Sequence, residues 1–212
     1  LVVFGVQSGM LFADKLTGLL SSQEMGYNIE GSTITIFASR WGGVFTTMQN
    51  YLYFYIPLLT MSLVSKELSS GSIRLLYSSP ITNTQIIVGK FFSMMIYGLI
   101  MIGILFLITL CSWAVVKDFE LSMVLTGLLG LYLLICAYAA IGIFMSSLTS
   151  YQIVAAIGTF AVLMVLSMIG GWWQDYDFIR DVTYWLSMPG RSGKFIAGLI
   201  CSEDVLYFVI VV

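Results

Sequence analysis

The fold is decided by residues 121–146, LSMVLTGLLGLYLLICAYAAIGIFMS, which contain no charged side chain. Three further stretches, 41–65, 91–116 and 151–174, are equally free of charge. A helix needs roughly 20 apolar residues to cross a hydrocarbon core of about 30 Å, and one ionised side chain near its centre costs roughly 2.5–3.5 kcal/mol. Because chance exclusion of charge from four such windows is implausible, these stretches predict transmembrane helices.

The composition excludes a water-soluble fold. Hydrophobic residues make up 59% of the chain and charged residues only 9%, whereas soluble domains carry about 25% charged residues. We predict an all-α, polytopic membrane protein that forms a single transmembrane domain over residues 1–212. Six spans are expected, the first and last incomplete here, at residues 1–13, 42–65, 91–116, 121–146, 152–173 and 204–212. A short cytoplasmic segment, 66–90, and an outer amphipathic segment, 174–203, connect them.

The residues present argue against catalysis. The chain has no histidine, so the commonest metal ligand and acid–base group is missing. Its three cysteines, Cys111, Cys136 and Cys201, show no paired spacing. We therefore predict no catalytic residue, no metal and no cofactor bound by this chain. An intramembrane enzyme is disfavoured because the spans lack both charge and histidine, and nucleic acid is not an expected partner because there is no basic patch.

The charges also predict the orientation. Segment 66–90 carries three of the nine basic residues and one of the eleven acidic ones. The positive-inside rule places this segment on the cytoplasmic side. Trp41, Trp113, Trp172 and Trp173 then all fall near the outer edge of a span, as expected for an aromatic belt.

Polar and small residues within the spans allow two interpretations each. Gln49 and Asn50 are the most polar adjacent pair, and they either form hydrogen bonds between helices or line a substrate pathway. Small residues permit close approach of helices, either within one subunit or at a subunit interface. These small residues are Gly98, Gly103, Gly127, Gly130, Ala139, Gly142 and Ser146.

The cytoplasmic segment predicts a very short amphipathic helix. Gly71 interrupts the preceding helix, Ser72 can cap a new one, and that helix must end before Pro80. A helix of about two turns is unstable alone, so it must rest on a soluble partner or on the lipid surface. Its apolar face consists of Ile73, Leu76 and Tyr77, with Leu75 beside them.

The next helix has its own start signal. Thr82 and Gln85 form a capping-box pattern. The helix then continues into the third span, and Lys90 is expected at the lipid boundary, where its ammonium can reach headgroups.

Several motifs resemble a known family. They are Ile56-Pro57-Leu58-Leu59-Thr60-Met61, Lys66-Glu67, Gly71-Ser72, Leu75-Leu76, Ser79-Pro80-Ile81-Thr82, Gly89-Lys90, Tyr138-Ala139-Ala140-Ile141-Gly142 and Ser146-Ser147-Leu148-Thr149-Ser150. Together they resemble the permease subunits of ATP-binding-cassette (ABC) transporters of the type-2 export class. The likeness is greatest to the permease associated with gliding motility in Bacteroidetes.

The resemblance implies a six-helix half-transporter of the bacterial inner membrane that forms a homo- or heterodimer around a central pathway. A cytoplasmic coupling helix, Ser72–Ser78, with Glu67 and Gly71 at its approach, would dock on a separate nucleotide-binding subunit. ATP and Mg²⁺ would belong to that subunit, because neither Gly89-Lys90 nor Gly190–Phe195 supplies a phosphate-binding loop. The alternative is a non-transporting scaffold or anchor of a motility or envelope complex.

The segment before the last span predicts helices at the outer surface. Pro189-Gly190 is expected to turn the chain, residues 194–200 to form a second short apolar piece, and Ser202 to cap the final span. The resemblance implies paired outer helices that close the pathway, and simple interfacial anchoring is the alternative. The first of these helices has an apolar face formed by Phe178, Ile179, Val182, Trp185 and Leu186.

Overall fold

The computed structural model describes residues 1–24, 33–39, 42–72, 82–115, 119–168 and 188–212. Every regular element within these ranges is a helix, which confirms the all-α prediction. In chain order the elements are α1 (Val2–Glu24), a short π-helix (Ile34–Ala38), α2 (Val44–Thr60), α3 (Ser65–Ser70), α4 (Asn83–Val115), α5 (Leu121–Leu148), α6 (Gln152–Met168), α7 (Met188–Ile196) and α8 (Ser202–Val211).

Two of these helices are long and apolar enough to cross a membrane, namely Asn83–Trp113 within α4 and the whole of α5, Leu121–Leu148. The 28 residues of α5 extend about 42 Å at a rise of 1.5 Å per residue. α6 is also apolar but has only 17 residues. Both long helices coincide with predicted spans, while the total of six spans stays a prediction.

α5 is the central helix and packs against α2, α4, α6 and α7. Glycines allow the close approach, because a Cβ at any of four positions would overlap a side chain of a neighbouring helix. Gly103, by contrast, has no atom within 4 Å of where its Cβ would lie. The glycines at the four crowded positions therefore serve packing within one subunit. They are Gly98, Gly127, Gly130 and Gly142.

The predicted span 42–65 is interrupted before its end. α2 ends at Thr60, residues 61–64 form turns, and α3 begins at Ser65. Pro57 lies inside α2 and has no N–H to donate to the preceding turn, which weakens the helix at this point. Pro57 was a sequence signal for a weakened helix, but not for the position of the break after Thr60.

α3 ends where the sequence predicted an interruption. Gly71 has a φ of 72°, the left-handed conformation that glycine adopts without strain at a helix C-terminus. On the far side of the segment, the Thr82–Gln85 capping box is confirmed. The Thr82 N–H donates to Oε1 of Gln85 at 3.1 Å, and the Gln85 N–H donates to Oγ1 of Thr82 at 3.4 Å.

The turn predicted at Pro189-Gly190 was wrong, because α7 begins at Met188 and continues through both residues. Proline is tolerated in a first helical turn, where its N–H would have no intrahelical partner. The chain turns later, at Gly198, which has a φ of 85°. Ser202 is the first residue of α8 rather than its cap, and Cys201 holds the N-cap position.

Candidate functional site

The best-defined polar site lies where α2 passes into α3, and we call it the junction: residues 61–71 together with Lys90 and Ser146. A break between helices leaves carbonyl groups at the end of one and N–H groups at the start of the next without helical partners. At the junction these groups include the Met61 and Leu63 carbonyls and the N–H groups of Val64 and Ser65. Buried backbone groups of this kind require partners from elsewhere.

Ser146 of α5 supplies three of the missing hydrogen bonds. Its Oγ accepts from the N–H of Val64 at 3.2 Å and from the N–H of Ser65 at 3.1 Å, and it donates to the carbonyl of Met61 at 3.1 Å. A hydroxyl has one donor and two acceptor positions, so its capacity is fully used. Ser146 is fully buried. It therefore acts as a helix cap for α3 from a different helix.

Lys90 of α4 binds the other side of the junction. Its Nζ lies 2.6 Å from Oε1 of Glu67 and also donates to the Leu63 carbonyl. The expectation that Lys90 reaches lipid headgroups was wrong, because the broken end of α2 offers a nearer carbonyl and α3 offers a carboxylate. Glu67 and Lys90 stand on the two helices that flank residues 72–82. The ion pair therefore joins the entry and the exit of the predicted coupling segment.

The structure describes only part of the predicted coupling site. Glu67 takes part in the ion pair, Gly71 ends α3, and the Ser72 hydroxyl lies 2.6 Å from that of Ser70. The remaining predicted residues lie outside the part of the chain that the structure describes. They are Ile73, Leu75, Leu76 and Tyr77.

Replacing Ser146 with Ala is expected to lower the free energy of unfolding by about 1–3 kcal/mol, the cost of leaving buried polar groups unsatisfied. The Met61 carbonyl keeps a partner in the Ser65 hydroxyl, so the loss falls on the two N–H groups. Unfolding of the variant in detergent micelles measures the loss of free energy of unfolding. Ser147→Ala is the control, because that exposed hydroxyl bonds only to the Phe144 carbonyl of its own helix. Equal destabilisation by both changes would contradict the capping role.

The structure does not bring Gln49 and Asn50 together. Gln49 is buried with 6% exposure, while Asn50 is exposed, because adjacent helical residues point in different directions. A polar contact that sequence reasoning missed lies on the same helix, where the Tyr55 hydroxyl donates to Oε1 of Gln7 in α1 at 2.8 Å. Of the two candidate pathway residues, Gln49 is therefore packed inside the protein and only Asn50 is exposed on the surface.

An apolar cavity of about 280 Å³ opens between α2 and α6 beside Pro57. Its walls offer almost no polar atoms, so it suits a hydrocarbon group rather than an ion. Its lining residues are Tyr53, Phe54, Pro57, Leu58, Ala156, Ile157 and Phe160. Among the residues placed by the structure, no group of three or more His, Cys, Asp or Glu could hold a metal ion.

The second polar site was missed from the sequence. Arg191 of α7 and Asp204 of α8 form a buried ion pair with a 2.6 Å contact between Nη1 and Oδ1. The available signal was two opposite charges, each near the start of a short helix, on either side of the turn at Gly198. Sequence reasoning treated Arg191 only as part of a failed phosphate-binding loop.

These features define a helical, membrane-embedded protein whose long apolar helices pack through glycines and whose polar groups gather where helices break. A family model described as "ABC-2 family transporter protein" matches residues 10–174. The chain belongs to this family, and it is therefore a permease-type component of an ABC transporter. Such permeases reside in a membrane and work with an ATPase subunit. No curated protein and no solved structure matches the chain.

Proposed function

We propose that the chain is the permease subunit of an ATP-driven exporter that forms a substrate pathway as a homo- or heterodimer. A separate nucleotide-binding subunit docks on Ser72–Ser78 through Ile73, Leu75, Leu76 and Tyr77. ATP and Mg²⁺ bind in that subunit. The family match supports the transporter class, and the resemblance in the motifs supports the gliding-motility branch and a place in the bacterial inner membrane.

The observation that carries this proposal is the Glu67–Lys90 ion pair across the ends of the coupling segment. Because the pair joins α3 to α4, a push on the intervening residues moves both helices together. Ser146 then connects α3 to α5, the central helix of the bundle. Movement of a docked subunit would thus reach α4 through the ion pair and α5 through the Ser146 hydrogen bonds.

Magnitudes indicate which contact matters more. Lys90 and Glu67 have side chains 16% and 32% exposed, so their ion pair resembles surface pairs, worth about 0.2–1 kcal/mol. The Ser146 hydrogen bonds are buried, and each contributes about 0.5–1.5 kcal/mol. Ser146 therefore holds the junction, while the ion pair sets how the two arms of the segment move together.

A charge reversal tests the role of the pair. Lys90→Glu is expected to lower ATP hydrolysis by the reconstituted complex about fivefold, because a coupling of about 1 kcal/mol corresponds to that factor. The double variant Glu67→Lys/Lys90→Glu should regain part of the activity, because it restores the attraction between the two side chains but not the hydrogen bond from Lys90 to the Leu63 carbonyl. Lys66→Glu is the matched control, since Lys66 is exposed next to Glu67 and has the same charge. If the control loses as much activity as Lys90→Glu, the effect is not specific to the pair.

The second candidate function is a non-transporting membrane scaffold or anchor of a motility or envelope complex. It is favoured only by the resemblance to the gliding-motility permease. Reconstitution of the chain with its ATPase in lipid vesicles separates the two. A transporter shows ATP hydrolysis that rises with its substrate and accumulates that substrate across the bilayer, whereas a scaffold shows neither.

A further inference from the structure

An apolar crevice lies between α4 and α5, near the ends of these helices on the side of the junction. Its volume is about 260 Å³. Ile87 stands one turn after the start of α4 and Ser147 is the last residue but one of α5, so the crevice belongs to this end of the bundle. Among the described residues that line it, Ser147 has the only polar side chain. The lining residues are Ile87, Val88, Phe91, Ala140, Ile143, Phe144, Ser147 and Val212.

The crevice is open to the outer surface of the helix bundle. Val88 and Phe144 in its lining are exposed, and Phe92 and Ile96 continue the exposed apolar face of α4 from Val88 at four-residue spacing. The Ser147 hydroxyl donates to the Phe144 carbonyl of its own helix. The crevice therefore presents mainly hydrocarbon, and it is continuous with a surface of α4 that is equally apolar.

The size of the crevice and the surrounding medium indicate its occupant. Walls that face an empty space lose their dispersion contacts, and the core of a bilayer holds no water that could fill it. One turn of helix, 5.4 Å long and about 10 Å across, takes up roughly 400 Å³, so a helix of a second subunit does not fit. An unbranched hydrocarbon chain is much thinner. We propose that the crevice binds one acyl chain of a bilayer lipid, from the leaflet on the side of the junction.

The crevice shares side chains with the packing of the junction. Ile143 lines the crevice and belongs to a small buried cluster, against which Phe91 and the junction residues Leu63 and Val64 pack. Val64 is also one of the two residues whose N–H groups donate to Ser146. An acyl chain in the crevice therefore supports the side chains against which the junction packs.

Photolabelling with a lipid tests the site. The full chain is reconstituted in vesicles of phosphatidylethanolamine and phosphatidylglycerol that contain a trace of phosphatidylcholine with a diazirine in one acyl chain. Mass spectrometry then maps the labelled residues, which should include Ile87–Phe91 and Ala140–Ser147. Ala140→Leu places a branched side chain in the crevice. It should lower the labelling of Ile87–Phe91 about tenfold, the factor that a modest overpacking penalty produces.

Ala161→Leu is the matched control, because it makes the same change at an exposed alanine of α6 that does not line the crevice. It should leave the labelling of Ile87–Phe91 within about twofold, as surface substitutions usually do. Ile153, which is 74% exposed near the start of α6, reports contact with the bulk lipid and should be labelled equally in every variant. A second filling variant, Ser147→Leu, enters the crevice from an exposed position and should reproduce the loss.

Three results would overturn the proposal. The first is labelling of Ile87–Phe91 that is no stronger than that of Ile153. The second is full labelling in either filling variant while Ile153 is labelled as before. The third is a disulfide-linked dimer formed by Val88→Cys in a chain whose own cysteines are replaced by Ala, which would assign the crevice to a second copy of the chain. None of these results depends on ATP hydrolysis or export, so the lipid site and the proposed function can fail separately.

Discussion

Replacing Leu76 with Asp is expected to abolish association with the ATPase subunit while the permease still inserts into the membrane. Leu76 lies at the centre of the predicted apolar face of Ser72–Ser78, and a carboxylate there would have to be buried at the interface without a partner. Burial of an unpaired charge is among the most costly changes an interface can undergo. Co-purification of the ATPase with the variant from detergent-solubilised membranes measures the effect.

Ser78→Asp is the matched control for this experiment, because it introduces the same charge on the opposite face of the predicted helix. It should leave association within about threefold of the original, as exposed charges at the rim of an interface change affinity little. Unaltered ATPase binding by Leu76→Asp would refute the assigned face. Loss of binding by both variants would mean that the whole segment, rather than one face of it, makes the contact.

Replacing Gly142 with Val is expected to destabilise the protein by about 3 kcal/mol, at the upper end of the cost of overpacking. A Cβ at Gly142 would overlap Thr60, the last residue of α2. Thr60 is fully buried and β-branched, so it has few rotamers in which to make room. Separation of α2 from α5 at this point would also pull Ser146, one turn further along α5, away from the junction. Thermal unfolding in detergent measures the loss.

Gly103→Val is the control for helix propensity, since it makes the same change at a glycine with no atom within 4 Å of the new Cβ. It should change the free energy of unfolding by no more than about 1 kcal/mol. If both valines destabilise the protein equally, the contact with Thr60 does not determine the stability. A second comparison follows from the position of Gly142. Gly142→Val should resemble Ser146→Ala in its effect on the junction, and Gly103→Val should not.

The fold could be predicted from the sequence wherever the signal is local or is imposed by the membrane. A span must be long, apolar and free of charge, so four windows in the sequence were enough to predict an all-helical membrane protein. The end of α3 at Gly71 and the Thr82–Gln85 capping box depend on residues a few positions apart, and both are confirmed. The glycines of α5 were recognised as packing residues, although the sequence could not name their neighbours.

The polar contacts could not be predicted, because each depends on which helices become neighbours. Pro57 is a local sign of weakness in α2, but neither the position of the break after Thr60 nor the need for Ser146 could be read from the sequence. Lys90 lies at a span boundary, where a lysine side chain is expected to reach lipid headgroups. It binds the Leu63 carbonyl and Glu67 instead, and these partners come from a different part of the chain. Nothing in the sequence pairs Asp204 with Arg191, 13 residues earlier, because their contact depends on how α7 and α8 fold against each other.

The capping of α3 by a distant hydroxyl has a consequence for biosynthesis. Val64 and Ser65 emerge from the ribosome 82 and 81 residues before Ser146. Their N–H groups must find other partners while the nascent chain is being inserted, either translocon water or an unbroken continuation of α2. A nascent chain arrested before α5 should therefore contain a straighter second helix than the finished protein. The bend at the junction would then arise late, when the central helix arrives.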